Sequence, residues 1–317
     1  MNTNLFIGIG AGLASALLFL SVTTGNPAAV MLFYAAPLPL FIAGFGWGLF
    51  PTLVAAAIAT VTTAVVAHFI FAGIYIVSCA VPCVWLVRLA LLSRPLDESD
   101  PQGPREWYPA GRLALWAAAF GAGVAIASIV IFGGTAESYA VTINTAFRTM
   151  LGGSGAPLPS GANLDVLIGI MTTYLAPVSA ALWTLFALLN MWLAIRIAAM
   201  SGHAIRPSIG LRDMRFAQQA SAAFAAALAG AYIGGTVGLY AKAVLGALVA
   251  VFAVLGIAVI YSVTRGMAAQ PFIVAGVILS AMLIPFVVLI IALIGIGDTI
   301  FDFRNRRSGP PAVPGGE

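Results

Sequence analysis

The chain has 317 residues, 62% of them hydrophobic and 8% charged, with a mean hydropathy of +1.06 and a formal net charge of +4. A soluble domain carries about 25% charged residues, so this composition excludes a water-soluble globule and assigns lipid as the solvent for most of the surface. The modest positive charge lies mainly between apolar stretches, which fits a loop charge bias and not nucleic-acid binding.

No Lys, Arg, Asp or Glu precedes Arg88. Leu5–Val22 therefore lacks the basic segment that opens a signal peptide, and a retained first helix is expected there. A spanning helix needs about 20 mainly apolar residues, and the apolar stretches are continuous and not alternating, which argues against strands. Nine candidate spans follow in order: Leu5–Thr24, Ala28–Gly48, Thr52–Phe71, Gly73–Leu92, Leu113–Phe132, Val166–Ile197, Phe216–Leu239, Lys242–Thr264 and Phe272–Ile296. The sixth is too long for one crossing unless it tilts, kinks at Pro177 or runs on past the bilayer.

The expected fold is all-α: a polytopic transmembrane helical bundle of about eight or nine spans plus one interfacial amphipathic helix. It forms one domain over residues 1–307. Residues 93–112, with Pro95, Pro101, Pro104 and Pro109, read as a polar cytoplasmic loop. Residues 133–163 begin with Tyr139, Ile143, Phe147 and Met150 at helical spacing, opposite Glu137, Asn144 and Arg148, and continue into the Gly/Pro-rich run 152–161. That pattern predicts a helix in the interface followed by a loop. Residues 308–317 read as a disordered tail.

Arginines set the orientation. Arg88, Arg94, Arg105 and Arg112 flank the fourth–fifth connection, and Arg196, Arg206, Arg212 and Arg215 the sixth–seventh. Both connections are expected in the cytoplasm, with the N-terminus on the same side. Nine spans would then leave Arg304, Arg306 and Arg307 outside, against the rule, so either one segment does not cross fully or the tail is an exception.

Few groups could carry chemistry. Ionisable residues in a bilayer are costly and functional by default, but His68 lies near the outer end of its span and Lys242 in the expected turn between spans seven and eight, where it could snorkel. Prolines interrupt several spans: Pro37 and Pro39, Pro82, Pro177 and Pro285. Each removes a donor and frees a carbonyl, as in the broken helices that form substrate sites in transporters, or simply kinks the helix. Asn190 and Tyr174 add polar groups to the sixth span. Pro37, Pro39, His68, Tyr174 and Asn190 are thus the candidate substrate-binding residues. Small-residue stripes at Gly8/Gly12/Ala16, Gly44/Gly48 and Gly230/Gly234/Gly238 mark close helix contacts. Cys79 and Cys83, one helical turn apart, read as buried small residues.

Enzymatic motifs are weak, and no enzyme, cofactor or metal site is expected. Gly295-Ile296-Gly297-Asp298 matches the GxGD of intramembrane aspartyl proteases, but no other span interior holds the second aspartate such chemistry needs. Gly152-Gly153-Ser154-Gly155 matches a rhomboid GxSG, yet lies in a loop across the bilayer from His203. The single lysine sits between Ala241 and Ala243, so there is no P-loop, and no HExxH occurs.

The segment Gly295-Ile296-Gly297-Asp298-Thr299-Ile300-Phe301-Asp302-Phe303-Arg304 resembles the terminal G-x-x-D-x-x-x-D-x-R pattern of YybS-like bacterial integral membrane proteins, and hydropathy follows the same order over the rest of the chain. The resemblance implies a location in the bacterial inner membrane and supplies no activity. Asp298, Asp302 and Arg304 are the motif residues; Asp298 and Asp302, and Asp302 and Arg306, are spaced to share a helix face, which would terminate and anchor the last helix or present a carboxylate to a cavity. Two functions stay open. One is a small-solute transporter, or the membrane substrate-binding subunit of one, working with a separate ATPase module. The other is a non-transporting scaffold with membrane protein partners, its arginines binding anionic lipid.

Overall fold

A computed structural model describes residues 2–97, 100, 103–153, 164–208, 210 and 214–304. Arg212, Arg306, Arg307, the Ser154–Gly155 part of the rhomboid-like motif and the tail from 308 lie outside these. The described chain is almost wholly helical: α1 (Asn2–Leu20), α2 (Ala29–Tyr34), α3 (Pro37–Trp47), α4 (Leu49–Val66), α5 (Phe69–Tyr75), α6 (Val81–Ala90), α7 (Ala110–Ile131), α8 (Ala136–Gly153), α9 (Leu164–Met200), α10 (Gln218–Ala231), α11 (Gly235–Val263), α12 (Gln270–Leu283) and α13 (Pro285–Phe301). A π-helical turn, Ile76–Ala80, joins α5 to α6. Seven helical segments among the described residues are long and apolar enough to cross a membrane: α1, α2–α3, α4, α5–α6, α7, α9 and α11.

Several boundaries differ from the sequence expectation, each for a backbone reason. The third span is not continuous to Phe71: it breaks at His68, whose φ of 154° is non-helical, and α5 starts afresh. The polar loop at 93–112 contains an antiparallel hairpin, β1 (Ser93–Pro95) with β2 (Arg105–Trp107), pairing Arg94 with Glu106. The seventh and eighth spans do not meet at Lys242. The turn comes at Tyr232–Gly234, where Gly234 adopts a φ of 78° that a side chain would resist, and Lys242 lies inside the 29-residue α11. The last span is two helices, because Ile284, held extended ahead of Pro285, cannot continue α12. The sixth runs unbroken through Pro177 for 37 residues.

Contacts define two ends of the bundle. At one end, which carries most of the arginines, Ile205 N–H donates to Phe45 O at 3.0 Å. Arg206 there bonds Ala90 O and Tyr108 O, both at 2.9 Å, and Arg215 pairs with Asp302 at 2.8 Å. Gly111 at the start of α7 lies so close to Arg215 that an added Cβ would come within 1.9 Å of its carbonyl oxygen. At the opposite end Tyr240 bonds Gly134 O, Thr236 bonds Ala136 N–H, and Arg148 pairs with Asp165. α1 runs parallel to α4, Gly8 facing Pro51 and Val54 and Gly12 facing Ala55 and Ile58, so it too starts at the arginine end. Of the expected small-residue stripes, Gly8/Gly12/Ala16 is such a contact face. Gly44 packs on Val87, but Gly48, at φ 97°, ends α3, and nothing lies within 4 Å of a Cβ added at Gly234.

The helices after α11 make a hairpin that returns to the end it left. α12 begins beside the last turns of α11, where Gln270 bonds Tyr261 O at 2.7 Å. Fourteen residues of α12 rise about 21 Å at 1.5 Å each. The turn at Ile284–Pro285 lies alongside the middle of α11, Pro285, Phe286 and Leu289 sharing a groove with Leu245 and Val249. α13 then runs parallel to α11 through a close crossing at Gly256 and Gly295, where a Cβ on Gly295 would meet Phe252 O at 2.2 Å. It ends at the arginine end, where Arg304 bonds Met214 O.

Candidate functional site

The proline pair of α3 meets its partner on another helix. Pro37 and Pro39 have no N–H, and Leu38 N–H turns to Ala35 O at 3.0 Å, so the Tyr34 carbonyl loses its helical donor. Asn190 of α9, buried, supplies one from Nδ2 at 2.7 Å. The neighbouring Ala36 carbonyl accepts the Ser15 hydroxyl at 2.6 Å, and Ser15 bonds Tyr75 at 2.7 Å. Tyr34 stacks on Phe186 with centroids 4.4 Å apart. The void left beside Pro37 is only about 20 Å³, room for about one water. Pro82 follows the same logic: the Ser78 carbonyl it cannot serve accepts the Trp183 indole N–H at 3.0 Å. These breaks are closed by the protein itself.

The terminal motif is a clamp. Asp298 and Arg304 side chains are 3% and 6% exposed and pair at 2.8 Å; Arg304 Nε also donates to Asp298 Oδ2 at 2.9 Å, and its own backbone N–H to Oδ1 at 3.3 Å. Asp302 adopts a left-handed φ of 49° and turns the chain back. Asp298 is therefore buried in an ion pair, and Asp298 and Asp302 do not continue one helical face, because the helix stops at Phe301. Each aspartate has an arginine partner, whereas a protease dyad shares one proton between two carboxyls.

His68 is exposed at the end opposite the arginines and packs on Phe69 with centroids 4.1 Å apart and ring planes tilted by 43°. No contact joins it to Pro37, Asn190 or Tyr174 among the described residues. Tyr174 belongs elsewhere, in the groove that the structure does assemble.

That groove, about 580 Å³, opens on the side of the bundle. α9 contributes Thr173, Tyr174, Pro177, Val178 and Ala181; α11 contributes Lys242, Leu245, Gly246 and Val249; the end of α10 and the start of α13 close it. Two of the prolines read from the sequence line it. Pro177 removes the amide that would serve the Thr173 carbonyl, and it touches Gly246 so closely that a Cβ there would lie 2.1 Å from Pro177 O. Pro285 forms the hairpin turn. α9 and α11 run parallel here, so the groove is graded: Thr173, Tyr174, Tyr232 and Lys242 stand toward the end away from the arginines, and Leu245, Val249, Phe286 and Leu289 toward the middle. Lys242, the chain's only lysine, has no hydrogen bond or ion pair with any described residue. Sequence reasoning placed it in a turn and so missed it; the Gly234–Gly235 pair was the signal that the turn came earlier.

Comparison with protein-family models, with curated proteins and with solved structures found no match to this chain.

Proposed function

We propose that this chain is a multi-pass membrane protein of the transporter class, a small-solute transporter or the membrane substrate-binding subunit of one, with the graded groove as its site. The observation that carries the reading is the α12–α13 hairpin, a broken helix whose mid-depth turn at Pro285 meets Pro177 and Lys242 in one groove. Discontinuous helices at mid-membrane are how many transporters build a site in lipid, and about 580 Å³ is within the size of small-molecule sites.

In this reading eight passes link the two faces: the seven long apolar segments, and α10, which with the non-helical residues 214–217 ahead of it joins Arg215 at the arginine end to the turn at Tyr232 at the other. The hairpin enters and leaves on one side. The hydrogen bonds of Arg206, Arg215 and Arg304 then put the C-terminal arginine on the same face as the earlier arginine loops. A re-entrant last segment thus removes the conflict with the positive-inside rule, and makes the arginine end, with the N-terminus, cytoplasmic. α8 lies in the outer interface, its Tyr139 and Ile143 buried and Glu137 exposed. The YybS-like resemblance belongs to the same proposal and would place the protein in a bacterial inner membrane.

Native mass spectrometry and proteomics on protein purified gently from its own membranes test this. A stoichiometric small molecule, or an ATPase pair, supports the transport reading. Stable protein partners with neither overturn it in favour of a scaffold.

A further inference from the structure

Three features of the groove bear on what enters it. First, its polarity is graded along its length, hydroxyls and an ammonium at one end and only hydrocarbon at the other. Second, Lys242 is a cation with no counter-ion among the described residues, in a groove whose described lining has no carboxylate. A lysine there, within reach of the bilayer edge, recruits an anion from outside the protein. Third, the groove is open sideways: Tyr174, Tyr232 and Phe286 are 59%, 85% and 67% exposed on the flank of the bundle. A lipid already in the bilayer reaches such an opening directly, so the solute of the transport reading is an amphiphile.

We infer that the groove holds an anionic phospholipid from the leaflet opposite the arginine end, its headgroup phosphate on Lys242 and an acyl chain along Leu245, Val249, Phe286 and Leu289. The ammonium is a compact point charge that suits one phosphate, and Tyr174 and Tyr232 bring hydroxyls to the same end of the groove. Gly246 keeps α9 and α11 in contact behind the chain, so the trough has a closed floor. The inference rests on the transport reading only for singling out this groove, and names the chemical class that the groove accepts.

The test compares wild type with Lys242→Gln and Lys242→Arg. Detergent-purified protein is titrated with phosphatidylglycerol or with phosphatidylcholine of the same acyl chains, and retained lipid is counted by native mass spectrometry. Wild type and Lys242→Arg should prefer phosphatidylglycerol, and Lys242→Gln should lose about tenfold of that preference, the size of one charge-assisted contact. Thermal unfolding of each variant confirms that the fold is kept, as expected for a side chain with no partner among the described residues. Leu245→Trp, which fills the trough, should reduce retention of both lipids. An equal preference in Lys242→Gln and wild type would assign the anion to the arginine end and overturn the inference. So would free glycerol phosphate competing as well as the lipid, which would indicate a soluble anion. No transport is measured, so loss of lipid preference refutes the ligand class while the partner and small-molecule measurements still decide the transport reading.

Discussion

The Asp298–Arg304 pair gives the sharpest energetic prediction. Both side chains are almost fully buried, so removing one partner leaves an uncompensated charge. Arg304→Met takes away the two guanidinium contacts to Asp298 Oδ2 and the one to Met214 O, at 2.8–2.9 Å, and leaves the carboxylate with only the backbone N–H at 3.3 Å. Breaking a buried pair in this way costs about 3–5 kcal/mol. Asp298→Leu should cost a similar amount, by stranding the guanidinium. The double variant removes both charges, and its main residual cost is the Met214 carbonyl without a donor, about 1–3 kcal/mol. The double should therefore be no less stable than either single, a non-additivity of several kcal/mol. Reversible SDS titration in mixed micelles, followed by circular dichroism, measures all three. Singles that each cost under about 1 kcal/mol and simply add would refute a buried, mutually dependent pair.

Other expectations follow from single contacts. Gly295→Ala puts a Cβ 2.2 Å from Phe252 O at the α11–α13 crossing; the same titration should show a loss of about 1–3 kcal/mol or more from overpacking. His68→Gly relieves a backbone conformation that costs a side chain about 1–3 kcal/mol, partly offset by glycine entropy; thermal unfolding should show it neutral or stabilised, and more stable than His68→Ala. Arg206→Lys loses the planar fork that joins Ala90 O to Tyr108 O and should destabilise by about 1–3 kcal/mol. Burial lowers the Arg206 pKa from its usual value to about 10. With the folded value the lower one, the unfolded chain binds more protons only between those values, so stability rises with pH in that window and is flat below it. The stability difference between wild type and the non-titrating Arg206→Met should then be constant from roughly pH 6 to 9 in melts at varied pH.

Hydropathy made the helical character legible and placed α1, α2–α3, α5–α6, α7 and α9 within a few residues, because a run of about 20 apolar residues has few other uses. The amphipathic face of α8 was equally readable: Tyr139 and Ile143 pack inward and Glu137 is exposed. What hydropathy could not register was backbone geometry inside an apolar run. Ile284-Pro285 and Gly234-Gly235 change direction without changing polarity, and so the last span read as one helix and Lys242 as a turn residue. The clamp at Asp298 depends on Asp302 turning left-handed, and regular helical spacing therefore paired the wrong residues. The Asn190–Tyr34 bond joins positions 156 apart; the sequence identified both the freed carbonyls and the polar residue, but nothing local linked them.

Substituted-cysteine labelling in intact membranes tests the central claim, the re-entrant hairpin, most directly. With Cys79 and Cys83, both buried, replaced by alanine, single cysteines are placed at Gly202, Gly134 and Phe303 and labelled with an impermeant maleimide from each side. The hairpin predicts that positions 202 and 303 react from one side and position 134 from the other. Labelling of position 303 together with position 134 would mean that the last segment crosses the bilayer, and both the groove and the topology built on it would fall.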